Sequence, residues 1–104
     1  MNDMLKISTE YHKGVFFVRI VGRNDNGRKL KEIFNIIDEL GIRNIVLNLN
    51  KLDFLSVDQI EEISNFKENK LKKKIFIIYD QRKSRLFNNT FIHLEQELDV
   101  FSYL

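Results

Sequence analysis

A chain of 104 residues is long enough for one compact domain and too short for two, so a single domain over 1–104 is expected. A domain of this length buries roughly two thirds of the surface its unfolded chain exposes and needs no metal or disulfide to fold. With 43% hydrophobic and 31% charged residues the composition excludes a disordered chain, and the absence of cysteine excludes disulfides, thiolate metal ligands and a cysteine nucleophile.

No apolar run approaches the ~18 residues of a membrane span, and Met1–Lys6 lacks the basic-then-apolar order of a signal peptide. The expectation is a cytoplasmic protein without membrane insertion. The net charge of +2 hides an asymmetry: Lys67–Arg85 holds eight basic residues against Glu68 and Asp80, a local +6, and the remainder of the chain sums to −4.

The first strand is expected over Leu5–Glu10, where Leu5, Ile7 and Thr9 alternate with Lys6, Ser8 and Glu10. His12-Lys13-Gly14 is turn chemistry, and Val15–Val21, nearly continuous in apolar residues, reads as a second strand covered on both faces and paired antiparallel to the first. After a break at Gly22–Gly27, Asp25 or Asn26 can cap a helix whose apolar positions Leu30, Ile33, Phe34, Ile37 and Leu40 follow three-four spacing, and Gly41 is placed to end it. Ile45–Leu49 is a third strand, parallel to the second because a helix separates them. A second helix over about Val57–Asn69 points Ile60, Ile63 and Phe66 or Lys67 inward and Glu61, Glu62, Asn65 and Glu68 outward, before a fourth strand at Lys74–Tyr79. Leu86, Phe87, Phe91 and Leu94 suggest a last helix within Ser84–Glu95, and Leu98–Tyr103 a short final strand. The expected fold class is therefore α/β, a mixed and mostly parallel sheet with helices following the strands, in the order ββαβαβα plus a short C-terminal strand.

In that order of elements, Gly22-x-x-Asp25 after the second strand, Ile45-Val46-Leu47-Asn48-Leu49 in the third, Leu52-x-Phe54-Leu55 beyond it and Arg85-Leu86-Phe87 near the end resemble the STAS domain of bacterial anti-anti-sigma factors, of SpoIIAA-like fold. The resemblance spans about Leu5–Tyr103. It implies a protein that is not an enzyme, an anti-sigma factor antagonist that regulates transcription by binding an anti-sigma factor of the serine-kinase (GHKL) type and thereby freeing a sigma factor. It also implies a switch, since the kinase phosphorylates a Ser or Thr at the start of the second helix, usually in Asp-Ser-Ser-Gly.

Laid on this sequence, that pattern falls on Ser56-Val57-Asp58-Gln59 and puts Asp58 at the phosphoacceptor position, so the hydroxyl is missing. Two readings of Asp58 stand side by side. In one, Ser56-x-x-Gln59 is a capping box and Asp58 a first-turn carboxylate favoured by the helix dipole by ~0.3–1 kcal/mol. In the other, Asp58 imitates in part a phosphoserine, with one negative charge where the phosphate carries about −1.5 to −2. The partner-binding surface implied by the resemblance is Asn24, Asp25, Phe54, Leu55, Ser56, Val57, Asp58, Gln59 and Glu61, with Leu55 and Val57 as its apolar centre. Ser56 is a second candidate phosphoacceptor in a shifted register.

Other chemistries find less support. His12 and His93 are about eighty residues apart with no metal-ligand spacing, and the four glycines at 14, 22, 27 and 41 form no phosphate-binding loop, so neither catalytic residues nor a metal or cofactor are expected. Asp25, Asp53 and Asp58 follow parallel strands, and only their convergence would make a weak cation site. The basic cluster reads as a solvated helix end and loop rather than a nucleic-acid surface, because Phe76, Tyr79 and Phe87 sit in core patterns instead of an exposed stacking row. A STAS subunit supporting the ATPase of a phospholipid-transport ABC complex and a basic nucleic-acid-binding domain are the alternatives. The protein is expected to be a monomer or a weak dimer.

Overall fold

The computed structural model describes residues 5–22, 28–52, 57–69, 74–79 and 91–104. The described elements are β1 (Leu5–His12), β2 (Val15–Gly22), α1 (Arg28–Glu39), β3 (Asn44–Leu52), α2 (Val57–Asn69), β4 (Lys74–Ile78) and β5 (Ile92–His93), followed by a 3₁₀ helix over Glu97–Tyr103. The five strands form one sheet in the order β1-β2-β3-β4-β5, with β1 antiparallel to β2 and every other pair parallel. The mixed, mostly parallel α/β architecture is thus the one the sequence patterns specify.

The β1–β2 hairpin closes through a two-residue loop between His12 and Val15. Lys13 and Gly14 have φ of 51° and 83°, the left-handed pair of a type I′ turn whose twist matches that of the strands it joins. β2 then buries Val15, Phe16, Phe17, Val18 and Ile20, so both of its faces are covered.

α1 packs Leu30, Phe34 and Ile37 onto one face of the sheet, and its end is a Schellman motif. The Ile42 amide donates to the Ile37 carbonyl (3.2 Å) and the Gly41 amide to that of Asp38 (3.1 Å), with Gly41 at φ 68°. Leu40 is the C-cap of this motif, which turns it off the apolar stripe and leaves it 65% exposed rather than in the core. α2 lies on the same sheet face through Ile63 and Phe66, and the Phe66 ring stacks on Phe34 at 4.2 Å and 8°. Ile60 is partly buried against this core, and Glu62 is half-buried rather than fully outward.

β3 carries one irregularity. Arg19 pairs with Asn48 but Val21 pairs with Lys51, so β3 has an extra residue in this stretch. The bulge reverses the alternation, which explains how Leu49 and Leu52, three apart, both reach the helix-side core. The Asn50 amide, displaced from the ladder, donates to the Asn48 side-chain oxygen at 3.1 Å.

The C-terminal quarter corrects two expectations. Ile92–His93 is a parallel strand beside Phe76 and Ile77, so residues 92–95 are not helical, and His93 is not on a helix; residues 84–90 lie outside the described residues. Phe91 and Leu94 separate the possibilities physically. On a helix they would share a face, but Phe91 lies in the helix-side core and Leu94 in the core on the opposite face, as strand alternation requires. Leu98–Tyr103 is 3₁₀ helix, not strand. Its threefold spacing aligns Glu97, Val100 and Tyr103 toward the sheet, with Val100 fully buried, Tyr103 5.6 Å from the Phe76 ring, and Leu98 71% exposed. A strand would have put Leu98 and Val100 on one face.

Lys13 adopts the left-handed conformation at a cost that Asn avoids better. Lys13→Asn is expected to raise unfolding stability by about 0.5–1 kcal/mol in urea titration without changing the m-value.

Candidate functional site

The end of the parallel strands where β3 hands the chain to α2 is the edge at which open α/β sheets present their sites. Leu52, 5% exposed, anchors the last position of β3, and Ile60, Ile63 and Phe66 fix the rotation of α2. That rotation leaves Val57, Asp58 and Glu61 on the solvent side, three and four residues apart and therefore neighbours on one helix face. Val57 is 70% exposed, an apolar side chain beside two carboxylates. Asp58 lies in the first turn of α2, where the unpaired backbone amides favour negative charge.

Of the expected surface, these three residues are brought together. Gln59 is within α2. Asn24, Asp25, Phe54, Leu55 and Ser56 lie outside the described residues, as do the Ser56-x-x-Gln59 capping bonds and the Asp25–Asp53 pair of the cation reading. Among the described residues no three His, Asp or Glu side chains are grouped to hold a metal, and no helix is long and apolar enough to cross a membrane. Phe76 and Tyr79 are buried core residues, so they offer no stacking surface to nucleic acid. Most of the basic cluster, Lys70–Lys73 and Arg82–Arg85, is outside the described residues, and Lys74 is exposed.

A second polar constellation was not anticipated. On the sheet face opposite the helices, Arg19 forms a two-pronged pair with Glu97, Nε to Oε2 at 2.8 Å and Nη2 to Oε1 at 2.7 Å. The Asn48 amide donates to the same Oε2 at 3.0 Å, and Arg19 Nη1 lies 3.0 Å from Glu10 Oε1. The guanidinium also sits 5.8 Å from the Phe17 ring centre. Hydrogen bonds from Arg19 hold the Glu97 carboxyl below the usual glutamate range; partial burial opposes them, and the Asn48 bond assists. Reciprocally, Glu97 first and Glu10 second raise the Arg19 pKa further. The sequence does carry a signal for this network: one arginine in an otherwise apolar strand, and an asparagine at the matching position of β3, require a polar partner on that face.

No family model and no curated protein matches the sequence. The fold is shared with solved structures, among them three that align over nearly their whole length. An anti-sigma factor antagonist from Mycobacterium paratuberculosis superposes with a TM-score of 0.86 at 17% identity, covering 99% of this chain and 96% of its own. The anti-sigma factor antagonist SpoIIAA in its unphosphorylated form gives 0.77 at 10% identity, with 96% of each chain covered. An uncharacterized protein of SpoIIAA-like fold from Shewanella loihica gives 0.59 at 16%, covering 100% of this chain and 96% of its own. The fold is therefore the STAS-like fold of the anti-sigma factor antagonists.

Because the folded Glu97 has the lower pKa, its contribution to stability is present above the ordinary glutamate range and lost as pH falls through and below it. Glu97→Gln is expected to cost about 1–2 kcal/mol at neutral pH. In chemical denaturation the gap between wild type and variant should close as the solution is acidified; a gap constant with pH would mean the ion pair adds nothing beyond hydrogen bonding.

Proposed function

We propose that the protein is a non-catalytic cytoplasmic regulator that acts by protein–protein contact, as an anti-sigma factor antagonist whose partner is an anti-sigma factor of the serine-kinase type. The observation that carries this reading is Val57, 70% exposed and flanked by Asp58 and Glu61 at the first turns of α2, on a fold shared with anti-sigma factor antagonists. An exposed apolar side chain rimmed by charges has the make-up of an interface centre, and the acidic rim suits a partner with basic groups. The proposed surface also takes in Phe54, Leu55, Ser56 and Gln59, which adjoin these residues in sequence, and Asn24 and Asp25, which follow β2 in sequence.

Control by phosphorylation at this position is absent in the proposed mechanism, because Asp58 has no hydroxyl to accept phosphate. A carboxylate supplies one fixed negative charge and two acceptor oxygens, short of the about −1.5 to −2 charge and three oxygens of phosphoserine. The contact is thus constitutive, and its strength is set by how far a single carboxylate resembles the modified state.

The test is capture of partners from the native cytosol by wild type, Val57→Lys and Asp58→Ser, followed by titration of the recovered protein. Recovery of an anti-sigma factor is expected, with Val57→Lys binding about tenfold or more weakly at unchanged melting temperature, since truncating or charging an interface centre costs more than 1 kcal/mol. Asp58→Ser and Asp58→Ala should change affinity if the carboxylate contributes; equal affinity for all three forms would leave Asp58 as a helix-start residue only. Recovery of nucleic acid alone would overturn the proposal.

A further inference from the structure

The two edges of the sheet are built differently. β5 is two residues long, which leaves little ladder for another strand to join. β1 is eight residues long, has no proline or glycine, runs in uninterrupted register with β2, and has no described strand on its outer side. The two-residue loop closes on a hydrogen-bonded His12–Val15 pair, so alternation assigns Glu10, Ser8 and Lys6 to the ladder with β2. The backbone N–H and C=O groups of Ile7, Thr9 and Tyr11 consequently point outward, along the open edge.

The side chains of this edge are self-complementary. When two copies of β1 run antiparallel about a twofold axis at Ser8, Lys6 of each copy lies opposite Glu10 of the other, Ile7 lies opposite Thr9, and Ser8 lies opposite itself. The outward groups of Ile7 and Thr9 are then the ones that bond across the axis, so backbone and charge pattern select the same register. Lys6, Ser8 and Glu10 are all exposed. Glu10 already touches Arg19, which is paired with Glu97, so the second copy's Lys6 would complete a row of four alternating charges. On the other face of the strand, Ile7 and Thr9 line a groove against Ile33 and Ile36 of α1, with Ile36 46% and Tyr11 62% exposed. The dyad would bring two such troughs together.

We infer that the outer edge of β1 is a homodimer interface, in which a second copy of this chain adds its own β1 antiparallel about Ser8 and continues the sheet across the axis. The occupant is a second copy because the Lys6–Glu10 match is internal to one strand and needs no other sequence. The surface is distinct from the α2 face, since β1 is separated from β3 by β2.

The chain has no cysteine, which allows a direct reading of register. Ser8 opposite Ser8 is a non-hydrogen-bonded pair with Cα atoms about 4.5 Å apart, within disulfide reach. Ser8→Cys is expected to form an interchain disulfide on mild oxidation and Lys6→Cys is not, because Lys6 and its symmetry mate are held far from each other. In sedimentation equilibrium, Lys6→Glu should weaken the dimer about tenfold, since two opposite-charge pairs become repulsive, and Lys6→Glu with Glu10→Lys should recover part of that loss, the rest being forfeited because Glu10→Lys sets a second cation beside Arg19. Thr9→Pro removes only an outward N–H and should give a folded monomer, checked by its melting curve. A wild type monomeric up to millimolar concentration, a dimer indifferent to both Lys6→Glu and Thr9→Pro, or cross-linking by Lys6→Cys as readily as by Ser8→Cys would overturn the inference.

Discussion

α1 and α2 lie on one side of the sheet, as two successive crossovers of the same hand between neighbouring parallel strands require. β2, β3 and β4 nevertheless carry apolar side chains on both faces: Val15, Phe17, Val46, Phe76 and Ile78 point away from α1 and α2. Something must cover that second face, and among the described residues the cover comes after β5, from Leu94, Val100 and Phe101. The core on this face is thus completed by the segment from Leu94 onward. At ~25 cal/mol per Å² of apolar surface, removing it from the sheet would uncover side chains whose burial is worth several kcal/mol.

The cover is held in place by two kinds of contact that limit one another. Val100 and Phe101 supply apolar burial without fixing orientation, and the rings of His12, Phe17 and Phe76 lie 5.6–6.2 Å from those of Phe101 and Tyr103. Glu97 supplies orientation: its two oxygens meet the planar fork of Arg19 and the amide of Asn48 in one geometry only. Arg19 is on β2 and Asn48 is opposite it on β3, so this one carboxylate clamps the C-terminal segment to the two central strands. A bare Arg19 on this face would be left to Glu10 alone, and the desolvation of the guanidinium would be poorly offset.

The strands and helices with strong periodicity were legible because their pattern has one physical solution. VFFVRIV cannot be a one-sided strand, and the three-four spacing of Leu30, Phe34 and Ile37 closed by Gly41 cannot be a strand at all. Leu40 was misjudged because spacing alone does not reveal that the helix has already entered its cap. The C-terminal quarter was misread for a related reason: Phe91 and Leu94 fit a helix face as well as two opposite strand faces, and only the existence of a second core distinguishes them. For the candidate site, the sequence located the start of α2, its acidic first turn and the exposed side of Val57, because the spacing of Ile60, Ile63 and Phe66 sets the buried side; the stacking of Phe66 on Phe34, which joins two helices, no local pattern encodes. The Arg19–Glu97 pair joins residues 78 apart and was visible only as an unexplained charge in an apolar strand.

The same topology separates the surfaces left for partners. Among the described residues helices cover one face and the C-terminal segment part of the other, so the two proposed contacts, at the start of α2 and at the β1 edge, use surfaces this core leaves exposed. β3, which delivers α2, is central in the sheet and paired on both sides, whereas among the described strands β1 pairs with β2 alone. At the start of α2, where the partner contact is proposed, the exposed Val57, Asp58 and Glu61 are oriented by the buried Ile63 and Phe66, an arrangement that favours selectivity by shape and charge. A strand added to β1 meets mainly backbone groups, for which affinity comes from ladder bonds and selectivity only from side-chain register. Because β2 stands between the two and carries Arg19, the charge network joins this edge to the C-terminal segment, from Glu10 to Glu97.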